Sequence, residues 1–233
     1  MLYLGNQTDT STRYHLQDEK KNCEADISIA ADVTDLGVVV DDKLKFDKQV
    51  AERVKKANGI LASIKRTIKY FNKEVFLTLY KSLVRPLLET AGAIWSPNLI
   101  KHVKMLESVQ RRATKLVKTI KDESYGNRLR ALDLPSLEYR RKRGDMILTF
   151  KLLNGFMDTD PSLLFELKQN KTRGHKLKLF KKRCNLGIRR AFFTQRIVND
   201  WNNLTTEVVN CSTVQQFERA YDKLKHADKF SYT

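Results

Sequence analysis

Apolar residues recur along this chain at steps of three and four over long stretches, and each stretch predicts a helix with one greasy and one wet face. The first runs through Phe46, Val50, Val54, Ala57, Leu61, Ile64 and Ile68, about six turns or roughly 35 Å at 1.5 Å per residue. Gly59 weakens its middle. A second pattern, Phe76, Tyr80, Leu83 and Leu87, precedes a third, Val103, Leu106, Val109 or Gln110, Ala113, Leu116 and Ile120. Between them Gly92 and the run Trp95-Ser96-Pro97-Asn98 supply a reversal, so the two apolar faces can close into a helical hairpin. Pro86 removes a backbone hydrogen bond inside the second pattern and predicts a bend near Ser82 or Leu83, as a kink or a break. Trp95, in a helix-joining turn, is expected to fill the core, with stacking on a base as its alternative.

Ahead of the helices, Met1–Gly5, Ile27–Ile29 and Leu36–Val40 predict short strands, with Asp41-Asp42-Lys43 as a turn after the last. This three-stranded remnant is either part of a larger sheet whose upstream partner is missing or a small native edge packed on helices. Behind the hairpin, residues 122–133 read as a linker with a short helical turn. Pro135 then disfavours helix before it, and Ser136 is a natural N-cap for a helix through Tyr139, Met146, Ile147, Phe150 and Leu153 to Asn154-Gly155. Leu177 and Leu179 alternate with cations, which predicts a strand or extended arm. Phe192, Phe193, Arg196, Ile197, Trp201 and Leu204 predict one helix whose aromatic stripe packs in the core. Ser212 with Gln215 forms a capping box for a last helix through Val214, Phe217, Tyr221 and Leu224. The fold class is mainly α, with a small N-terminal β remnant.

Charge sharpens this picture. The net charge is +17, yet residues 1–42 carry three cations against nine acids, which leaves +23 for the rest. The first long helix shows Lys48, Arg53, Lys55, Lys56, Lys65, Arg66 and Lys69 against Asp47 and Glu52. The hairpin's second helix carries Lys101, Lys104, Arg111, Arg112, Lys115, Lys118 and Lys121 against Glu107 alone. Each face could be merely solvated. Two in succession favour a surface that tracks phosphates, because bound lysine and arginine release counterions from nucleic acid. Arg140, Arg141 and Arg143 sit near a helix start, where the dipole disfavours cations, so either a partner or acids from another helix must meet them. Residues 171–190 hold nine cations and no acid, a basic arm suited to nucleic acid or to nuclear import.

Other chemistry is sparse. Cys23, Cys184 and Cys211 are too far apart for a zinc knuckle, and the four histidines do not complete one, so no structural metal is expected. No apolar run approaches the roughly 18 residues of a spanning helix, and no signal peptide opens the chain. A chain that binds no membrane, is not secreted, and is intracellular, nuclear or cytoplasmic, is the expectation. There is no glycine-rich phosphate loop, GxSxG or HExxH.

The wording YKSLVRPLLE, IWSP and LESVQRRATKLV resembles the region behind the polymerase core in reverse transcriptases of non-LTR (LINE-type, jockey-like) retrotransposons. Matches in the same order extend it: DLGVVVDDKLKFDKQV at 35–50, LPSLEYRRKRGDMILTFKLLNG at 134–155, TRGHKLKLF at 172–180 and FFTQRIVNDWNNL at 192–204. The resemblance implies the tail of a longer RNA-directed DNA polymerase. Residues 1–44 would be a β remnant of the palm, 45–124 a helical thumb-like domain built on the hairpin, and 125–233 a helical C-terminal region with the basic arm.

Family polymerases need magnesium held by carboxylates on a sheet, including an adjacent Asp pair after an aromatic residue. Asp41-Asp42 imitates that pair, but no aromatic precedes it, only 40 residues lie upstream, and the resemblance aligns it with the segment after the palm. No catalytic residue and no cofactor are therefore expected in this chain, and the missing upstream polymerase domain would be its partner. The resemblance implies that thumb helices grip an RNA–DNA hybrid, RNA or DNA by its backbone. Carried onto this sequence, the contacts are Lys55, Lys56, Lys65, Arg66, Lys69, Lys104, Arg111, Arg112, Lys115 and Lys118, then Arg140, Arg141 and Arg143. The cysteine-histidine knuckle of many family members is lacking, which fits a jockey-like lineage. The alternative is a helical protein–protein adaptor derived from the element, its basic faces solvated.

Overall fold

The computed structural model describes residues 2, 15–18, 23–27, 29–169 and 173–232, and in it the chain is mainly helical with small antiparallel strand pairs near the N-terminus. It divides into two compact units, Met1–Glu52 and Arg53–Thr233.

In the first unit β1 (His15–Asp18) pairs with β2 (Cys23–Asp26), and β3 (Asp32–Asp35) with β4 (Val38–Asp41). The strand expected over Met1–Gly5 lies outside the described residues except for Leu2, and Ile27 and Ile29 belong to no strand. Leu36 and Gly37 form a hairpin turn instead of opening the last strand. Their φ values of 45° and 76° give the twist that a two-residue connection needs. Val38 and Val39 are buried, and the Val39 amide donates to Gln49 Oε1 at 3.0 Å. Asp41 then clasps the chain's entry into α1 (Asp47–Thr67): its carboxylate accepts from the amides of Lys43, Lys45 and Phe46 at 3.1, 3.0 and 2.7 Å. Those bonds hold Leu44 and Phe46 at positive φ, a conformation that costs an L-residue roughly 1 kcal/mol.

The boundary between the units falls inside α1. The second unit continues with α2 (Lys73–Leu79), capped by Asn72, a wide π turn over Tyr80–Val84, and α3 (Arg85–Glu89). Pro86 explains the π turn. It has no N–H for the turn behind it, and the ladder widens so that Arg85 N–H bonds the Tyr80 carbonyl. The chain reverses at Ala91 (φ 57°), not at Gly92, and passes through α4 (Gly92–Trp95) into α5 (Ile100–Thr114). Trp95 is fully buried and its indole N–H donates to Thr90 O at 2.6 Å. Tyr80 and Gln110 tie the hairpin together through a 2.6 Å hydrogen bond, and Gln110 Nε2 reaches Pro135 O at 3.0 Å.

The helix expected to run to Ile120 stops at Thr114, and Lys118–Ile120 is a separate 3-10 turn. Arg128 meets the helix at this end: its Nε donates to Thr114 Oγ1 at 2.9 Å and its Nη2 to Arg111 O at 3.4 Å, a carbonyl that one more α-turn would have bonded to the Lys115 amide. Ser124 and Ser136 cap α6 (Tyr125–Leu132) and α7 (Leu137–Leu153). The latter is the central element, packing against α3, α4 and α5 on one side of the chain order and against the C-terminal helices on the other.

Those helices are α8 (Gly187–Ala191), α9 (Phe193–Arg196), α10 (Val198–Asn202), α11 (Thr206–Val209) and α12 (Val214–Leu224), followed by a 3-10 turn over His226–Phe230. Met146, Phe150, Trp201, Phe217 and Tyr221 form their shared core. The single helix expected across Phe192–Leu204 is broken at Ile197, which caps α9 and precedes α10. The cap of α12 is Thr213, whose hydroxyl accepts from Gln216 N at 3.2 Å, while Gln216 Oε1 takes the Ser212 amide. This capping arrangement sits one residue later than Ser212 with Gln215. The division expected at 124/125 falls within the second unit.

Candidate nucleic-acid interface

The ten expected phosphate contacts on the first long helix and the hairpin, from Lys55 to Lys118, are all exposed. Lys65 and Arg66 occupy the last turn of α1, and Arg111 and Arg112 the last turn of α5. Cations at these ends answer the partial negative charge of the unpaired carbonyls, so each helix gains locally from carrying them. One contact joins the two ends. Lys118, opening the 3-10 turn after α5, holds its ammonium 5.3 Å from the ring centroid of Tyr70, two residues after Ile68 closes α1's last bond. Lys69 is the chain neighbour of that ring and is exposed.

The remaining members are placed differently. Lys55 and Lys56 lie about 15 Å back along α1 from Lys65, and Lys104 about 10 Å back along α5 from Arg111, at 1.5 Å per residue. Arg111 is partly engaged already, its guanidinium lying 5.0 Å from the Tyr125 centroid and 5.5 Å from that of Tyr232. Glu107, the acid that shared α5 with these cations, is withdrawn from the surface. It is buried, accepting from Tyr125 Oη at 2.5 Å and Leu137 N at 3.1 Å, and burial raises its pKa above the ordinary 4.5.

Arg140, Arg141 and Arg143 do not join this surface, because carboxylates within the fold meet them. Arg140 grips Glu89 through Nε to Oε1 and, at 2.9 Å, through Nη2 to Oε2. Arg143 donates to Asp222 at 2.6 and 3.0 Å and to Glu218 at 3.2 Å. Arg141 is only 9% exposed. Its terminal nitrogens make no hydrogen bond, and its charge is balanced by Glu107, Glu138, Glu89 and Asp145, with burial lowering its pKa. Glu138 and Asp145 belong to α7 itself, but Glu89, Glu107, Glu218 and Asp222 come from α3, α5 and α12, whose proximity no local reading of residues 138–145 reveals.

The basic arm is described from Arg173 onward, Lys171 lying outside the described residues. Leu179 bridges antiparallel to Leu167, and the arm's backbone is fastened by side chains: Trp201 Nε1 donates to Leu177 O at 2.7 Å, and the Asn202 amide exchanges bonds of 2.8 and 2.9 Å with Leu179. Lys181, Lys182, Arg183, Arg189 and Arg190 are exposed. Lys182 lies 3.7 Å from Glu166.

Tyr70 is the residue that sequence reasoning missed. It falls off the apolar stripe that ends at Ile68, directly after Lys69, and an aromatic off the stripe beside a cation is the signal that marks it. Asp41 and Asp42 do not fit a two-metal centre: three backbone amides occupy the Asp41 carboxylate. Among the described residues no three His, Cys, Asp or Glu side chains come together as a metal site, and no helix is long and apolar enough to cross a membrane.

No family model matches the chain. A Caenorhabditis elegans protein described as uncharacterized is 27% identical over 112 residues, which cover 47% of this chain and 57% of that protein. The chain thus spans somewhat over half the length of this relative. No solved structure matches.

Proposed function

We propose that this chain is the non-catalytic thumb and C-terminal part of a non-LTR retrotransposon reverse transcriptase, and that it holds primer–template hybrid or element RNA by the phosphate backbone. The observation that supports the reading is the Tyr70–Lys118 contact, between the segment that follows the cationic end of α1 and the turn that follows the cationic end of α5. The ordered resemblance along most of the chain supports it. Catalysis and its magnesium would belong to an upstream polymerase domain, and the work would be done inside the cell, in nucleus or cytoplasm. The surface contacts offer positioning without sequence reading, since lysine and arginine at helix ends address phosphates and not base edges.

A second reading, a helical protein adaptor, draws on one feature: a groove of about 640 Å³ beside Leu163, Leu164 and Leu167, which are 79%, 40% and 50% exposed. Salt separates the two. Binding of an RNA–DNA hybrid measured across salt concentrations loses affinity with a steep logarithmic slope if several phosphates are neutralised. A flat dependence, or no binding, favours the adaptor.

A further inference from the structure

We infer that Tyr70 is a stacking platform for an unpaired base, so that the basic surface recognises a single-stranded stretch or a junction between single strand and duplex. This rests on the phosphate-binding reading above and adds a ligand class to it.

Three observations converge on the ring. Tyr70 is 79% exposed although tyrosine is a large, half-apolar side chain, and it lies in the connection between α1 and α2. That connection is anchored on both sides. Ile68 N bonds Ile64 O at 3.0 Å, and Asn72 caps α2 by accepting from Val75 N at 2.8 Å. The ring is therefore presented from a fixed segment while its own side chain contributes nothing to the core. Lys118 lies over the ring at 5.3 Å, and Lys69 is its chain neighbour.

An exposed ring with cations beside it is the combination that single-strand binding uses. The base stacks on the ring's π-face and the adjoining phosphates pair with the ammonium groups. Lys118 takes one face in the free protein, and its ammonium can stay there or turn to a phosphate as a base arrives. Stacking needs the ring and not the hydroxyl. A continuous duplex, whose bases are already stacked on one another, gains nothing from it.

The test compares wild type, Tyr70→Phe and Tyr70→Ala in the full chain. The probes are a short single-stranded oligonucleotide carrying a stacking-sensitive fluorescent base analogue and a blunt duplex. Tyr70→Ala is expected to bind the single strand about tenfold more weakly, with loss of the fluorescence change, whereas the blunt duplex, which offers no unpaired base to stack, is expected to lose less. Tyr70→Phe is expected to match wild type. Circular dichroism of both variants checks that the helices are retained. Wild-type binding that is salt-dependent but identical in Tyr70→Ala overturns the stacking platform and leaves the phosphate reading standing. No binding of either probe by wild type overturns both.

Discussion

Arg196 closes on Asp145 with both oxygens engaged, Nε to Oδ2 at 2.9 Å and Nη2 to Oδ1 at 2.8 Å, and the same Nη2 reaches the carbonyls of Gly92 and Ala93 at 3.3 and 3.0 Å. One guanidinium therefore pins α9 to α7 and to the start of α4, joining the hairpin to the C-terminal helices. Asp145 is buried, and burial raises its pKa despite the arginine. Removing Arg196 leaves that carboxylate without its partner. Arg196→Ala is expected to cost about 3–5 kcal/mol in urea denaturation. Replacing both partners by apolar residues, Arg196→Met with Asp145→Leu, is expected to recover most of it. A single variant as stable as wild type would mean the clamp is dispensable.

Glu107 gives a pH dependence with a definite sign. Burial lifts its carboxyl above 4.5, outweighing the hydrogen bonds from Tyr125 and Leu137 and the nearby Arg141. The folded state then holds the proton more tightly than the unfolded chain does. Its contribution to stability is fully present below the unfolded pKa and is lost as pH rises through the folded one. Glu107→Gln removes this term, so the stability difference between variant and wild type should move in the variant's favour from acid to neutral pH. Urea midpoints for the two proteins across that range test it. Parallel profiles would show that Glu107 titrates alike in both states.

Helical periodicity made α1 legible almost to the residue, from the apolar positions Val50 to Ile64, and the missing N–H of Pro86 marked an irregularity near Ser82 and Leu83, though as a kink or break and not as the π turn found over Tyr80–Val84. Trp95, set between two apolar faces, was expected in the core and is fully buried. What escaped was decided by groups distant in sequence. α5 ends at Thr114, where Arg128 reaches in from α6, and the apolar spacing through Leu116 and Ile120 carries no mark of it. Ser212 and Thr213 are equally good caps in isolation. The partners of Arg140 and Arg143 lie 51 and 79 positions away, at Glu89 and Asp222. Local pattern reports which face a cation takes on its helix, and only packing reports which acid waits there.

That distinction makes a further prediction. Arg143→Ala should lower stability, because Asp222 and Glu218 lose a forked, half-buried donor. The loss is expected to be about 1–3 kcal/mol, the range for hydrogen bonds to charged groups. Its hybrid binding and salt slope should stay at wild-type values. A double-mutant cycle with Asp222→Asn isolates the pair. If Arg143→Ala instead weakens hybrid binding while the melting curve is unmoved, the arginine belongs to the interface after all.

Arg112 and Lys115 make the complementary case, being exposed at the end of α5 beside the Tyr70–Lys118 contact, so that their reversal disturbs the surface charge and not the core. Arg112→Glu with Lys115→Glu should weaken binding to every hybrid sequence alike, since phosphates carry no sequence information. If each cation neutralises one phosphate, the slope of log affinity against log salt falls by about 0.9 for each, or about 1.8 for the pair. Thermal stability should fall by about 1 kcal/mol, because Arg112 lies in the last turn of α5 and Lys115 caps it, so carboxylates there oppose the helix dipole. The slope decides between the readings because it counts displaced counterions, whereas a protein partner held by an apolar groove displaces almost none. A double variant whose slope equals that of wild type would place the phosphates elsewhere, with the basic arm at residues 173–190 as the next surface to reverse.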